Sequence, residues 1–489
     1  MAGSLNDLKW NWLKSLYGNL SLEDLSYKHS ITSPVSTNPI ENRNGITFAN
    51  LKSSYPNSSL NDALYAFYVA GGSSTQLPKT ANLAARWSAD SITPVADGTA
   101  VASWTDSING YVASQATGLR QPLYKTNIRN GKPALWFNSQ WMDAGRPAAV
   151  VSAMDTGSRT VLVVYQTVGT TSNGMLFNTA PAGGGAFMMV ADGTNAGRFS
   201  FTMPHANTGQ LSTLGCIRAN GSAGGYRQSF NSSIAYVNDI DSTTSGGNNI
   251  YFGGIQNSTF MCNAYIFDIL VWNVALTMPE LLQAEAWARD KYGDAYPWAA
   301  KSDYIIYAGD SLTQGSGALG TGSYPYKSAQ TLTRPYGTWT NIAAGGTTMA
   351  EVNANCAINA DPIPAQIGKV CKIAAFEYYN QRGLGAAGCE TQSRAYLAAR
   401  KAIPNMKTIF GTSTGHSGDP DSVRQAYDTA MGGNTTNMDA YVPLHTDTSI
   451  GNYTAYATNS ATYWSDVVHF NSAGYTILSN LMTAGIQSI

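Results

Sequence analysis

The sequence predicts a multidomain chain in which a short helical module is followed by an all-β sandwich and then by an open, doubly wound parallel α/β sheet. Three observations predict this. The chain has 489 residues, more than one hydrophobic core accommodates. From about Asn82 short alternating strands are broken by Gly, Asn and Asp, the pattern of a sandwich. Beyond Lys301 apolar strands alternate with segments of helical spacing, the order of a parallel sheet. The boundaries implied are residues 1–80, 81–295 and 296–489.

Charge excludes some classes of partner. Charged residues make up 12% of the chain, and 29 Lys and Arg against 30 Asp and Glu leave a net charge of -1. There is no general attraction toward nucleic acid or an anionic membrane, so binding is expected from local sites. The abundance of Gly, Ser, Thr, Asn and Tyr suits β-rich proteins that act outside cells better than cytosolic enzymes. The five cysteines, Cys216, Cys262, Cys356, Cys371 and Cys389, are widely spaced with no C-x-x-C pair, so neither a zinc site nor a disulfide framework is expected. Buried thiols are the reading. No apolar run reaches the roughly 18 residues of a membrane span, and Met1 to Leu16 lacks the basic-then-apolar order of an export signal.

The first segment carries an internal echo. Ser4-Leu5-Asn6-Asp7-Leu8 returns as Ser59-Leu60-Asn61-Asp62-Ala63-Leu64, with a fainter Ser21-Leu22-Glu23-Asp24-Leu25 between. Each copy sets a Ser N-cap before an acid at N3, followed by apolar residues at helical spacing. Helices this short do not bury their own apolar faces. Trp10, Trp12, Leu13, Tyr65 and Phe67 therefore need a covering surface, either their own domain or a partner. Residues 30–44, rich in Ser, Pro and Asn, read as loop.

In the sandwich, Ala85 to Ser91, Asp97 to Asp106, Gln121 to Tyr124 and Asn130 to Phe137 follow as strands and turns, and the segment closes with a strand over Ala264 to Trp272. Met278-Pro279-Glu280 then opens a helix for which Gly293 is the C-cap. Trp87, Trp104, Trp136 and Trp141 are expected in the core. Asp90, Asp97 and Asp106 are candidates for Ca²⁺, without the spacing of an EF-hand. Ala295 to Lys301 reads as a linker.

The last segment supplies chemistry. Tyr304-Ile305-Ile306-Tyr307-Ala308 reads as a buried strand, Gly309 allows a sharp bend, and Ser311 would stand at the strand's carboxyl end, where open α/β sheets carry their sites. Near the chain's end Asp466 and His469 are three apart. On one turn the carboxylate can hold the imidazole's tautomer while the other ring nitrogen faces a serine.

Gly309-Asp310-Ser311-Leu312 together with Asp466-Val467-Val468-His469-Phe470-Asn471 resembles the first and last blocks of the SGNH, or GDSL, hydrolases, esterases in which the block-one serine attacks an acyl carbonyl. The resemblance implies a catalytic triad of Ser311, His469 and Asp466, with Asp310 part of the motif but not the triad acid. Asn341-Ile342-Ala343-Ala344-Gly345-Gly346 resembles block two and places an oxyanion donor on Gly346, with Gly345 as the alternative, since a glycine amide approaches a substrate oxygen without a Cβ in the way. Block three is normally Gly-x-Asn-Asp. Here Tyr378-Tyr379-Asn380-Gln381 keeps Asn380 as an oxyanion donor beside the Ser311 and Gly346 amides, but has Tyr and Gln at the outer positions, which implies a differently shaped acyl pocket. His416, His445 and Asp447 are candidates for lining the cleft. The resemblance implies no metal and no cofactor.

The sandwich resembles the laminin-G-like and concanavalin-like jelly rolls, and the S-L-N-D helices resemble N-terminal modules of bacteriophage tail fibre and receptor-binding proteins. Together these resemblances imply a phage tail fibre or tailspike whose terminal domain O-deacetylates host cell-surface polysaccharide during adsorption. They further imply a homotrimer attached to other tail or baseplate proteins and located in the virion, with no nucleic-acid partner and no membrane insertion. Two alternatives stay open: a glycan-binding tail adhesin without turnover, and a secreted bacterial carbohydrate esterase.

Overall fold

Residues 76–489 are described in the computed structural model, apart from 156–157, 169–174, 179–187, 191–210, 219–226, 232, 237–248, 255–260, 319 and 418–420. The S-L-N-D repeats lie outside the described residues. From Leu77 to Ile489 the chain forms one compact unit, built from two antiparallel sheets and one parallel sheet with helices.

The larger antiparallel sheet is centred on Asn263–Trp272, flanked by Arg159–Thr167 on one side and Lys132–Asn138 on the other, with Leu83–Ser88 also pairing to it. The smaller sheet includes Ser103–Thr105, Val112–Ser114, Met142–Asp143 and Tyr251–Phe252. The central strand buries both its faces. Ile266, Ile269 and Val271 join Trp87, Trp104 and Phe252 in the core between the sheets, and Phe267, Leu270 and Trp272 pack on the other side with the helix Met278–Tyr292. Ile266 and Ile269 share a face although three apart, because the register shifts between Ile266 and Asp268 and a bulge resets the alternation. The helix starts with a capping box of Thr277 and Glu280 and ends at Gly293.

Two of the four tryptophans depart from the expectation. Trp87 and Trp104 are fully buried, but Trp136 and Trp141 are half-buried. Trp136 falls between the inward Leu135 and Phe137, so the pleat turns it outward, where its indole N–H donates to Asn263 Oδ1 at 3.1 Å. The three candidate Ca²⁺ ligands are not gathered either. Asp90 pairs with Lys132, Asp97 with Lys125, and Asp106 accepts from the Arg86 and Asn109 amides.

The parallel sheet runs Trp339–Asn341, Asp303–Gly309, Val370–Phe376, Met406–Gly411, Ala440–Val442, every neighbour parallel. The first strand in the chain is second in space, so connections leave it in opposite directions and open a crevice at its carboxyl end. Alternation distributes its side chains between two helical layers. Tyr304, Ile306 and Ala308 face Val352, Cys356 and Leu397 from the helices Met349–Asn359 and Gly385–Lys401. Ile305 and Tyr307 face Tyr324, Leu478 and Met482 from the helices Tyr324–Thr331 and Ser472–Gln487.

The expected linker is a tight joint. Pro297–Ala300 is a 3₁₀ turn with Trp298 buried and stacked on Tyr296. Beyond the joint, the β and α/β parts touch directly. Phe230 meets the Tyr336 ring edge-on at 5.2 Å, the Gly337 amide donates to Ser233 Oγ at 2.6 Å, and the Met278 amide donates to Asn359 Oδ1 at 2.9 Å.

Candidate active site

The turn that carries Ser311 begins at Gly309, the last residue of the first parallel strand, which has φ +152. A Cβ there would lie 2.3 Å from Thr313 Oγ1 and 3.1 Å from the Phe376 carbonyl oxygen, so only glycine fits this bend. Asp310 caps the short helix Ser311–Gln314, its Oδ1 accepting from the Leu312 amide at 2.9 Å. Ser311 is therefore the first helical residue, its N–H without an intrahelical acceptor and directed away from the helix body.

Ser311 and His469 meet across 158 positions of sequence. His469 Nε2 lies 2.9 Å from Ser311 Oγ, and His469 Nδ1 lies 2.7 Å from Asp466 Oδ2. The other carboxylate oxygen of Asp466 accepts from the Val468 and His469 amides, each at 2.8 Å, so the turn aims both side chains. Desolvation pushes the Asp466 carboxyl up, but the hydrogen bonds from the His469 amide, the His469 ring and the Val468 amide outweigh it and hold the carboxyl below its ordinary value. An ionised Asp466 accepts from Nδ1–H and leaves Nε2 free to accept the serine proton. The turn is fixed on both sides. Asn471 caps the final helix, accepting from the Ala473 and Gly474 amides, and Tyr475 Oη donates to the Ser316 carbonyl at 2.7 Å, tying that helix to the nucleophile loop.

The candidate oxyanion side is built from the ends of the next two strands. After Trp339–Asn341, the buried Asn341 donates to the Thr313 carbonyl at 3.0 Å and accepts from the Ala343 amide, bracing the following loop against the nucleophile helix. Both glycines of this loop are exposed; a Cβ on Gly345 would stand 3.6 Å from Ser311 Cβ, while Gly346 has φ +76 and open space where a side chain would stand. After Val370–Phe376, Asn380 Nδ2 donates to Asp310 Oδ2 at 2.9 Å and to the Thr347 carbonyl at 3.1 Å. Both protons of that amide are thus engaged within the protein, and donation to a substrate oxygen requires one to be exchanged.

Two buried acids accompany Asn380. Asp310 is 1% exposed, and burial pushes its carboxyl from 3.8 up to about 6 against the opposing Leu312 amide bond and the nearby His469. Glu377, 2% exposed, is raised well above the ordinary value, first by burial and then by the Asp310 charge. Sequence reading missed Glu377. Its signal is an acid directly after the strand Val370–Phe376, at the sheet edge where the site lies.

A small pocket beside the Ser311 turn is lined by Leu312, Phe376, Tyr378, Tyr379, Ser413, Thr414, His416 and Val468. Of the three candidate cleft residues, only His416 belongs to it. His445 Nδ1 pairs with Thr412 Oγ1 at 2.9 Å, and Asp447 accepts from the Ser449 and Ile450 amides of its own loop. No cluster of three or more His, Cys, Asp or Glu that could hold a metal occurs among the described residues.

No protein-family model and no curated protein match this chain. Solved structures similar to it include TesA, at 14% identity over 38% of this chain and 98% of that one with a TM-score of 0.31. A member of the lipolytic protein G-D-S-L family from Veillonella parvula matches at 16% identity over 38% of this chain and 97% of that one, TM-score 0.30. Domain 4 of AbnA, a GH43 extracellular arabinanase from Geobacillus stearothermophilus, matches at 16% identity over 42% of this chain and 98% of that domain, TM-score 0.29. These likenesses are partial and low in identity, and the chemistry rests on the chain's own geometry.

Proposed function

We propose that this chain is a serine ester hydrolase. The observation that carries the reading is the continuous relay from Ser311 Oγ through His469 to Asp466, at 2.9 and 2.7 Å. In the reaction, Ser311 Oγ attacks an ester carbonyl while His469 Nε2 takes its proton, with Asp466 holding the imidazolium. The Ser311 and Gly346 amides, joined by the Asn380 amide once it is released from Thr347 or Asp310, stabilise the oxyanion. His469 returns the proton to the leaving alcohol, and water repeats the attack on the acyl-serine.

The finer reading is that the ester is an O-acetyl group on a host cell-surface polysaccharide and that the protein is a trimeric tail fibre or spike of a phage. The sandwich would then position the glycan and residues 1–80 would attach the chain to other tail proteins in the virion. Support for it comes from the sequence resemblances and from the composition. A glycan-binding adhesin without turnover is the second reading. One observation favours it: both Asn380 amide protons are already engaged.

Acetate release from O-acetylated polysaccharides decides between the two. The esterase reading expects release by the wild-type chain and none by Ser311→Ala. Tight glycan binding with no release by either would establish the adhesin.

A further inference from the structure

We propose that Glu377 is a positioning residue for the oxyanion side of the site, holding the turn that carries Asn380 in register with the nucleophile. This rests on the ester-hydrolase reading. An acid 2% exposed directly after the strand Val370–Phe376 is costly unless its hydrogen bonds are used. Here both polar parts of Glu377 grip the following turn. Its Oε1 accepts from the Asn380 backbone N–H at 2.6 Å, and its main-chain carbonyl accepts from Gln381 Nε2 at 3.1 Å. Gln381 is itself buried, so an amide in place of a second acid is what this arrangement uses.

With its backbone fixed in this way, the Asn380 side chain spans the Asp310 carboxyl of the nucleophile turn and the Thr347 carbonyl of the Gly346 loop. Removing Glu377 should therefore let the span slacken. The second carboxyl oxygen, Oε2, is buried with no hydrogen-bond partner among the described residues, and burial, followed by the neighbouring Asp310 carboxyl, favours the protonated form of Glu377. A neutral acid acts here through its acceptor oxygen alone. A glutamine amide oxygen can replace it, whereas a side chain with no acceptor cannot.

The experiment uses the full chain with Glu377→Gln, Glu377→Ala and Ser311→Ala. It reads kcat and KM on p-nitrophenyl acetate together with crystal structures of the two Glu377 variants. Glu377→Gln is expected within about threefold of wild type, and Glu377→Ala to lose about tenfold or more in kcat with KM within about twofold. In the structures Asn380 should stay in place with Gln and shift with Ala. If the alanine variant fails to fold, Glu377→Leu makes the same comparison with the volume kept. Asn380 unmoved and kcat unchanged without the acceptor would overturn the proposal, as would a Gln variant as impaired as Ala. If Ser311→Ala turns over like wild type, the hydrolase reading falls, while the position of Asn380 in the variant structures still decides what Glu377 holds.

Discussion

At the scale of single residues the proposed triad is a local pair, Asp466 and His469, completed by one distant contact with Ser311. Ser311→Ala should fold normally and lose several orders of magnitude in ester hydrolysis, and His469→Ala nearly as much, because the members act as a unit. Steady-state kinetics check both, and wild-type turnover by Ser311→Ala would end the assignment. Asn380→Ala should lower kcat by about 10² to 10³ if its amide turns to the oxyanion, and by less than about threefold if it stays with Asp310 and Thr347. Asp310 gives a pH signature. Its carboxyl titrates at about 6 in the fold against an ordinary 3.8, so the folded state holds this proton more tightly than the unfolded chain does. The stability this contributes is complete below pH 3.8 and is lost as pH rises through about 6. Urea midpoints between pH 4 and 7 should therefore fall less for Asp310→Asn than for wild type, and parallel curves would contradict the assignment.

At the scale of elements, strand ends and helix starts aim the chemistry. The Asp303–Gly309 strand delivers Ser311 only because Gly309 turns where no side chain fits. Gly309→Ala should cost about 1–3 kcal/mol or more, since the new Cβ meets Thr313 and a backbone oxygen, and activity should fall with it. Denaturant unfolding combined with an esterase assay checks this. A variant both stable and active would mean that the strand-to-helix turn relaxes freely. Much of this level was legible in the sequence. The apolar run with its glycine, and separately the D-x-x-H turn, are each encoded within a few residues. The Asn380 partners were not legible, because Asp310 lies 70 positions away and Thr347 lies 33 away, and no local pattern records that they meet.

At the scale of the whole molecule the β and α/β parts are one packed body from Leu77 onward. The Pro78 carbonyl accepts from the buried Trp272 indole at 3.0 Å, so the body needs its first residues. A chain starting at Gln76 should unfold in a single transition and hydrolyse a small ester at the full-length rate, since every proposed site residue lies between Asp310 and His469. A chain starting at Ala295 should lose the Phe230, Ser233 and Met278 contacts with Tyr336, Gly337 and Asn359. Uncovering that surface should cost about 2 kcal/mol or more, read as a lower unfolding midpoint. Equal midpoints for the two chains would show that the joint contributes nothing to stability.

The sequence by itself determined the order of the layers, the strand and turn that expose Ser311, and the Asp466–His469 pair. These follow from side-chain periodicity and backbone geometry over short stretches, which each segment carries wherever it packs. The tertiary structure decided that Trp136 faces outward, that the supposed linker is a sealed joint, and that Asp310 and Glu377 are buried acids bracketing Asn380. Those outcomes depend on burial and on hydrogen-bond partners supplied by residues far along the chain, and such partners exist only once the layers have closed on one another.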